Sequence, residues 1–434
     1  MTQARNASVA VGGTSAFEWW YVAHFAFGAI HAGFVAILVP TYVLSITGKA
    51  ADVGLVIFLY GLGALLVPAV GGLADRYRAY RAVQMAGLAA YVLGSLVFVF
   101  SGDRLLLAAA AGVLGVGSSA LQMIDPAFIL GAGFQQNEQS RRLTRLSQTE
   151  RIGQLLGALV VAGLVQWRLS FSACFTIMAG VAAACLLVTS ATNGRAAARI
   201  KYTERDIVKP AGAGKVPLRS LLAPTFGLFL LAAMSARAGL DMLYGQYPNY
   251  MQHVFQISPA LSATALSVCA LLTLVVLEPI GRWMARSGPP LVWLAALSVP
   301  IVAAGALILL ASLAPVPAFL PLAVYVILRL CVSWANLAQP PLAHGLSKAP
   351  LGTTQGILWG SLIIGFMIAN MVGGWLADAF GFESIPWAIV GLSVLALLLG
   401  SRAVNRSPTE QPGEGLLASR LTRVDRSATD EVVA

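Results

Sequence analysis

The feature that most constrains this chain is its succession of long apolar runs, twelve in all, at residues 17–45, 52–75, 80–101, 104–132, 150–168, 170–190, 219–247, 259–284, 289–313, 317–345, 353–378 and 383–403. The hydrocarbon core of a bilayer is about 30 Å thick and an α-helix rises about 1.5 Å per residue, so roughly 20 apolar residues cross it once. Lipid offers no partner to backbone N–H and C=O groups, and runs of this length satisfy their own as helices. With 58% hydrophobic and 11% charged residues and a mean hydropathy of +0.78, there is too little polar surface to face water. A soluble domain carries roughly 25% charged residues. The expected fold is an all-α membrane protein of twelve transmembrane helices.

The net charge of +10 raises the possibility of nucleic-acid binding, which the position of the basic residues removes. Counted on alternate sides of the spans, 23 of the 28 Lys and Arg residues fall on the side of the N-terminus, and only Lys49, Arg104 and Arg168 on the other. Basic residues stay in the cytoplasm during insertion. The charge therefore reports topology, with both termini cytoplasmic in the cell inner membrane. Residues 1–15 are polar without a basic, then apolar, leader pattern, so the first span is expected to act as its own insertion signal. One connection, residues 192–218, is polar and carries Arg195, Arg199, Lys201, Arg205, Lys209 and Lys215 with Pro210 and Pro217. It divides the chain into an N-terminal six-helix bundle (1–191) and a C-terminal one (219–406), followed by a charged, Pro- and Gly-containing tail (407–434) expected to be disordered. Cys174, Cys185, Cys269 and Cys331 all lie within apolar runs without metal-ligand spacing, and are read as packing residues.

Between the second and third spans the chain reads Gly71-Gly72-Leu73-Ala74-Asp75-Arg76-Tyr77-Arg78-Ala79-Tyr80-Arg81. This resembles the cytoplasmic loop signature of the major facilitator superfamily, departing from it at Arg78, where the pattern has glycine, and at Arg81, one position late. The matching point of the second half, Gly281-Arg282-Trp283-Met284-Ala285-Arg286-Ser287-Gly288, keeps the glycines and basic residues but has Ala285 in place of the acid. Degenerate copies at the same point of each half are what an internal repeat predicts. The resemblance implies two pseudo-symmetric six-helix bundles that rock about a central site, in a carrier acting as a monomer. It also implies a gating motif of Gly71, Asp75, Arg76, Gly281 and Arg282, with Asp75 pairing with the cytoplasmic end of span eleven near Thr353 to Gln355. The plainer alternative is that Asp75 caps a helix and anchors its loop. Gly153, Gly157 and Gly163 on span five look like a fragment of the glycine signature of antiporters in this superfamily, without its Gly-Pro pair.

Charged groups at mid-membrane cost about 2.5–3.5 kcal/mol each, so those retained there are candidates for function. Arg237 and Asp241 on span seven are spaced i, i+4 on one helix face and lead into Tyr244-Gly245-Gln246-Tyr247-Pro248-Asn249-Tyr250, a Pro-broken segment suited to a gate or substrate wall. Arg329 on span ten has no acid within reach on its own helix, so it needs a partner elsewhere or an anionic ligand; Trp334 and Asn336 follow it toward the cytoplasm, and Pro340-Pro341 are expected to kink the helix. In the first half, His31 and Gln122 are further candidates for the site. His31 and Asp125 are candidates for proton coupling; the structural alternatives are packing for His31 and, for Asp125, a bridge to Ser118 or to a neighbouring helix. Glu18 beside Trp19 and Trp20 reads as an interfacial belt, and Glu278 as a partner for Arg282.

No Gly-Lys-Ser/Thr phosphate loop, His-Glu-x-x-His or nucleophile motif occurs, so neither ATP hydrolysis nor an intramembrane enzyme is expected, and no cofactor is implied. Two arginines against one or two acids make the expected cavity neutral to positive. The leading expectation is a proton-coupled exporter of a small organic anion, metabolite or drug. Uptake of a nutrient anion by proton symport, or a non-transporting receptor or scaffold, are the alternatives.

Overall fold

The computed structural model describes residues 17–66, 74, 77–132, 134, 136–200, 224–313, 315–347 and 351–405. Among them every regular element is helical: α1 Trp19–Thr47, α2 Ala50–Leu65, α3 Tyr80–Phe100, α4 Arg104–Leu130, α5 Gln136–Gln166, α6 Phe171–Ala198, α7 Pro224–Met242, α8 Tyr247–Phe255, α9 Pro259–Ser287, α10 Pro289–Ser312, α11 Phe319–Leu346, α12 Leu351–Phe380 and α13 Ser384–Asn405. Nine of these are long and apolar enough to cross a membrane, and ten if α7 and α8, which bend by 52°, form one span. The two remaining expected spans are α2, whose description stops just beyond Leu65, and α5, whose first half is highly charged. The twelve-span reading is consistent with this set. Gly71, Asp75, Arg76, most of the central connection and the tail lie outside the described residues, as do the side chains of Thr353 and Gln355.

The helices pack as two copies of one pattern. In the first half α1 packs on α5 and α6, α2 on α4, and α3 on α4 and α6; in the second α7 packs on α12 and α13, α9 on α11, and α10 on α11 and α13. Between the halves, α2 lies along α12 and α5 along α9, a pair of contacts exchanged by the same pseudo-twofold relation. Large apolar side chains such as Leu93, Leu187, Val275 and Val302 stand exposed, as befits surface that meets lipid rather than water. The interior holds aromatic stacks, among them Tyr247 on Tyr325 with ring centroids 3.5 Å apart.

Local chemistry explains several boundaries. Asp103 accepts hydrogen bonds from the amides of Leu105 and Leu106, both at 3.0 Å, and so caps α4. Between α5 and α6 the chain reverses at Arg168, in the left-handed region at φ 54°, with the Leu169 amide bonded to the Leu164 carbonyl at 3.1 Å. Arg78, standing where the family pattern has glycine, likewise sits at φ 50°, which is the backbone requirement behind that glycine. At Pro340-Pro341, where a kink is expected, the helix does not end: α11 continues through both prolines to Leu346. Neither proline has an N–H to donate, so the carbonyls of Asn336 and Leu337, four residues earlier, lose their helical donors while the helix goes on.

Two features were not expected from the sequence. Residues Gly28–Val35 of α1 form a π-helical stretch. Here α1 crosses α5 so closely that a Cβ on Gly153 would lie 2.2 Å from the Phe25 carbonyl oxygen, and one on Gly157 only 2.6 Å from that of Ala29. Gly153 and Gly157 are thus accounted for by helix contact. The second is a seal across the top of the interface between the halves. Asp378, at the end of α12, accepts from the Ala50 amide at 2.7 Å and the Ala51 amide at 2.8 Å, capping α2 from across the interface. Below it, a Cβ on Gly374 would fall 2.4 Å from the Ala50 carbonyl oxygen. Gln246 donates to that carbonyl at 2.9 Å, and Asn249 to the Pro40 carbonyl at 3.2 Å.

Candidate functional site

Beneath this seal the two halves enclose a cavity of three adjoining lobes, of about 110, 240 and 380 Å³. The lobes share Gln122 and Trp359 in their walls. The largest is bounded by Ala64 and Leu65 at the end of α2, by Ser119 and Met123 of α4, and by Gly356 and Gly360 near the start of α12. The cavity therefore extends toward the membrane face at which α2 ends and α12 begins and is shut at the face that carries Lys49.

Its electrostatic centre is a triad of charges on α7 and α11. Asp241 is fully buried and pairs with Arg237 one turn earlier on its own helix, and with Arg329 at 2.9 Å from α11. Both guanidiniums line the cavity and keep about a fifth of their surface exposed, while the carboxylate lies behind them. The Arg329 guanidinium also sits 4.8 Å from the centre of the Tyr244 ring, a cation–π arrangement. Two guanidiniums share one carboxylate, which leaves one unit of positive charge in the wall. Glu150 and Arg151, 3.7 Å apart at the other side, cancel each other.

Aromatic side chains form the facing wall. His31 stacks between Phe27 and Tyr60, its Nδ1 is 2.6 Å from the Tyr60 hydroxyl, and the Tyr244 hydroxyl donates to its carbonyl at 3.1 Å. Tyr60 continues through Ser118 to Tyr91, whose hydroxyl is 2.8 Å from the Ser118 oxygen. Ser118 is thus committed to tyrosines and makes no bridge to Asp125.

Asp125 instead belongs to a buried polar chain behind α1. It accepts from Gln84 at 2.7 Å, and Gln84 in turn accepts from Asn193 at 3.0 Å. Its other oxygen lies 3.0 Å from His24 Nδ1, while His24 Nε2 is 3.6 Å from Glu150, a cavity-lining acid. His24 therefore stands between a carboxylate in the cavity and one sealed from it.

Of the residues singled out in the sequence, Arg329, Arg237, Tyr244, His31, Gln122 and Asn336 line the cavity and Asp241 supports it from behind. Trp334 does not line it: it packs against the apolar cluster around Phe229 and Trp293, because it points from the opposite side of α11. Gly281 and Arg282 sit near the end of α9, where Arg282 is exposed and 3.7 Å from Glu278. Glu150 and Asp378 were missed. Glu150 is the first residue of an apolar run and reads as a headgroup anchor. Asp378 had a signal: Gly373-Gly374-Trp375-Leu376-Ala377-Asp378 nearly repeats Gly71-Gly72-Leu73-Ala74-Asp75.

No curated protein sequence matches the chain. Solved structures of the nucleoside transporter NupG share its fold: a variant superposes with a TM-score of 0.74 and the parent with 0.66, each at 13% identity, covering 89% of this chain and 98% of the transporter. The family profile of the Major Facilitator Superfamily matches residues 20–358 and 229–424. With that match over most of its length, and with two packed copies of one helix pattern around a charged cavity, the chain belongs to the Major Facilitator Superfamily and is a multi-pass membrane transporter of a small molecule.

Proposed function

We propose that this transporter carries a small organic monoanion with a planar ring, by alternating access, using the Arg237–Asp241–Arg329 triad as its anion site. The observation that carries the reading is the sharing of one buried carboxylate by two cavity arginines from different helices. A bound carboxylate or phosphate would neutralise the residual positive charge where water is scarce, and there a charge-assisted hydrogen bond is strongest. Phe27, Tyr244 and Trp359 supply flat apolar walls for the rest of the solute. The seal at Asp378 and the opening beside Gly356 give the chain one closed and one open face, as a carrier in one of its two end states has. With the orientation read from the basic residues, the open face is cytoplasmic and both termini lie inside.

Protons are the proposed coupling ion, with export as the direction. Support comes from the Glu150–His24–Asp125 chain, which joins a solvent-accessible carboxylate to a buried one through a single imidazole. Uptake by proton symport uses the same cavity and the same relay, and a receptor without transport uses neither. The test is purified protein in liposomes with an imposed pH gradient, offered labelled aromatic carboxylates and their neutral amides. Anions should move and amides should not, and the gradient polarity that drives accumulation fixes the direction. Asp125→Asn should flatten the pH dependence while leaving counterflow of the same solute intact. If no solute moves under any gradient, the carrier reading fails, and if Asp125→Asn keeps the parent's pH response, the relay is wrong.

A further inference from the structure

Away from the central cavity, the first half holds a second pocket of about 700 Å³ at the face where α1 begins and α6 ends. It is built from the start of α1 and α3, the charged half of α5 and the end of α6. Arg81, Arg142, Arg195 and Arg199 line it together with Glu18 and Trp19. One acid among four guanidiniums leaves a strong positive excess. Glu18 is already engaged: it accepts from Arg142, from Arg199 at 2.5 Å and from the Trp20 indole at 3.0 Å. Glu138 takes a second bond from Arg142 at 2.7 Å. Arg81 reaches the Ser190 carbonyl at 3.0 Å and keeps its other donors. Arg195 stands exposed, with no ion pair among the described residues.

The surroundings identify the ligand's chemistry. Leu187, one turn from the pocket on α6, is 70% exposed, and Trp19 at its lip is 65% exposed. An apolar, lipid-facing strip therefore runs from the arginines toward the bilayer centre. We propose that this pocket binds the phosphate of an anionic glycerophospholipid, with Arg81 and Arg195 supplying the free guanidinium donors and the acyl chain lying along Leu187. A phosphate ester is the shared chemistry of a lipid headgroup and a free anion, and the apolar strip assigns it to lipid. All four walls belong to one half, so occupancy stabilises that half without favouring either face of the transport cycle.

The test uses the full chain in neutral detergent, titrated separately with dioleoyl-phosphatidylglycerol, dioleoyl-phosphatidylcholine and inorganic phosphate. Native mass spectrometry counts retained lipid, and thermal melting gives stabilisation. The parent should retain the anionic lipid in preference to the zwitterionic one, and Arg81→Gln with Arg195→Gln should weaken binding of the anionic lipid about 30-fold, from about fivefold at each arginine. The double variant without lipid should elute and melt like the parent, and Arg195→Lys should keep the preference. Equal retention of the two lipids would overturn the proposal, as would a double variant that holds phosphatidylglycerol like the parent. Inorganic phosphate reproducing the full thermal shift would overturn the lipid assignment.

Discussion

Replacing Asp241 and Arg329, singly and together, separates what the charge triad does for the fold from what it does for the solute. In the parent the three side chains carry a net charge of one positive unit, and the carboxylate is wholly buried. Asp241→Asn removes the only acid and leaves two guanidiniums facing each other across α7 and α11. Breaking a buried pair by removing one partner costs about 3–5 kcal/mol, and the guanidiniums' partial exposure places the expected loss at the lower end. Arg329→Gln leaves Asp241 paired with Arg237 and brings the triad to neutrality, so it should cost the fold far less. It should, however, remove a charge-assisted hydrogen bond to the solute worth about 1.5–3 kcal/mol, which is about a 10- to 150-fold loss of affinity. The double variant restores one positive charge, and its melting temperature should lie above that of Asp241→Asn alone. Melting of detergent-solubilised protein, with and without a panel of aromatic carboxylates, reads all of these. An Asp241→Asn protein as stable as the parent would refute the electrostatic reasoning. Unchanged anion affinity in Arg329→Gln would remove that residue from the site.

Three further outcomes follow from contacts outside the triad. Asp378→Asn keeps the shape at the end of α12 but weakens the cap on the Ala50 and Ala51 amides; at about 1–2 kcal/mol the closed face should open about 5- to 30-fold more often. This is measured as the labelling rate of Ile57→Cys, beneath the seal, by a membrane-impermeant thiol reagent, and a parental rate would show that the cap does not hold the face shut. Gly374→Val drives a side chain into the Ala50 carbonyl, an overlap of about 1–3 kcal/mol, and should raise the same labelling rate; slower labelling would contradict the close contact. Burial alone would raise the Glu18 carboxyl, but hydrogen bonds from Arg199 and Arg142 outweigh it and leave it below its ordinary 4.5. Its stabilisation is therefore complete above that value and is lost as pH falls below it, so Glu18→Gln should melt lower than the parent at pH 7, by about 1–2 kcal/mol, and converge with it in acid.

Much of the architecture is legible in the chain because lipid enforces it: apolar length, basic asymmetry and a duplicated loop follow from local composition. The Arg237–Asp241 pair is legible for a similar reason, since i, i+4 spacing on a helix fixes a contact. Arg329 was recognisable as needing a partner, but the partner sits 88 residues away, and no periodicity encodes which helices meet. The same limit hid the join between His24, Asp125 and Glu150, which come from three helices. Trp334 is a cavity candidate only by its nearness to Arg329 in the sequence, yet five positions turn a helix by about 140°, enough to aim it at the opposite side. The π-helical stretch in α1 has no mark in the local sequence, and it coincides with the close crossing of α5, a tertiary contact.

The cap on α2 has a consequence for how this protein tolerates change. Asp378 grips two main-chain amides, which every residue except proline possesses, so the latch is blind to the side chains at positions 50 and 51. Those positions are free to drift so far as the grip itself is concerned, while the whole burden of keeping it falls on one carboxylate on the opposite half. The hydrogen bonds of such a fastening can be lost at a single codon on one side and only to proline on the other, and the close approach of Gly374 to Ala50 adds one further position at which a larger side chain pries it apart.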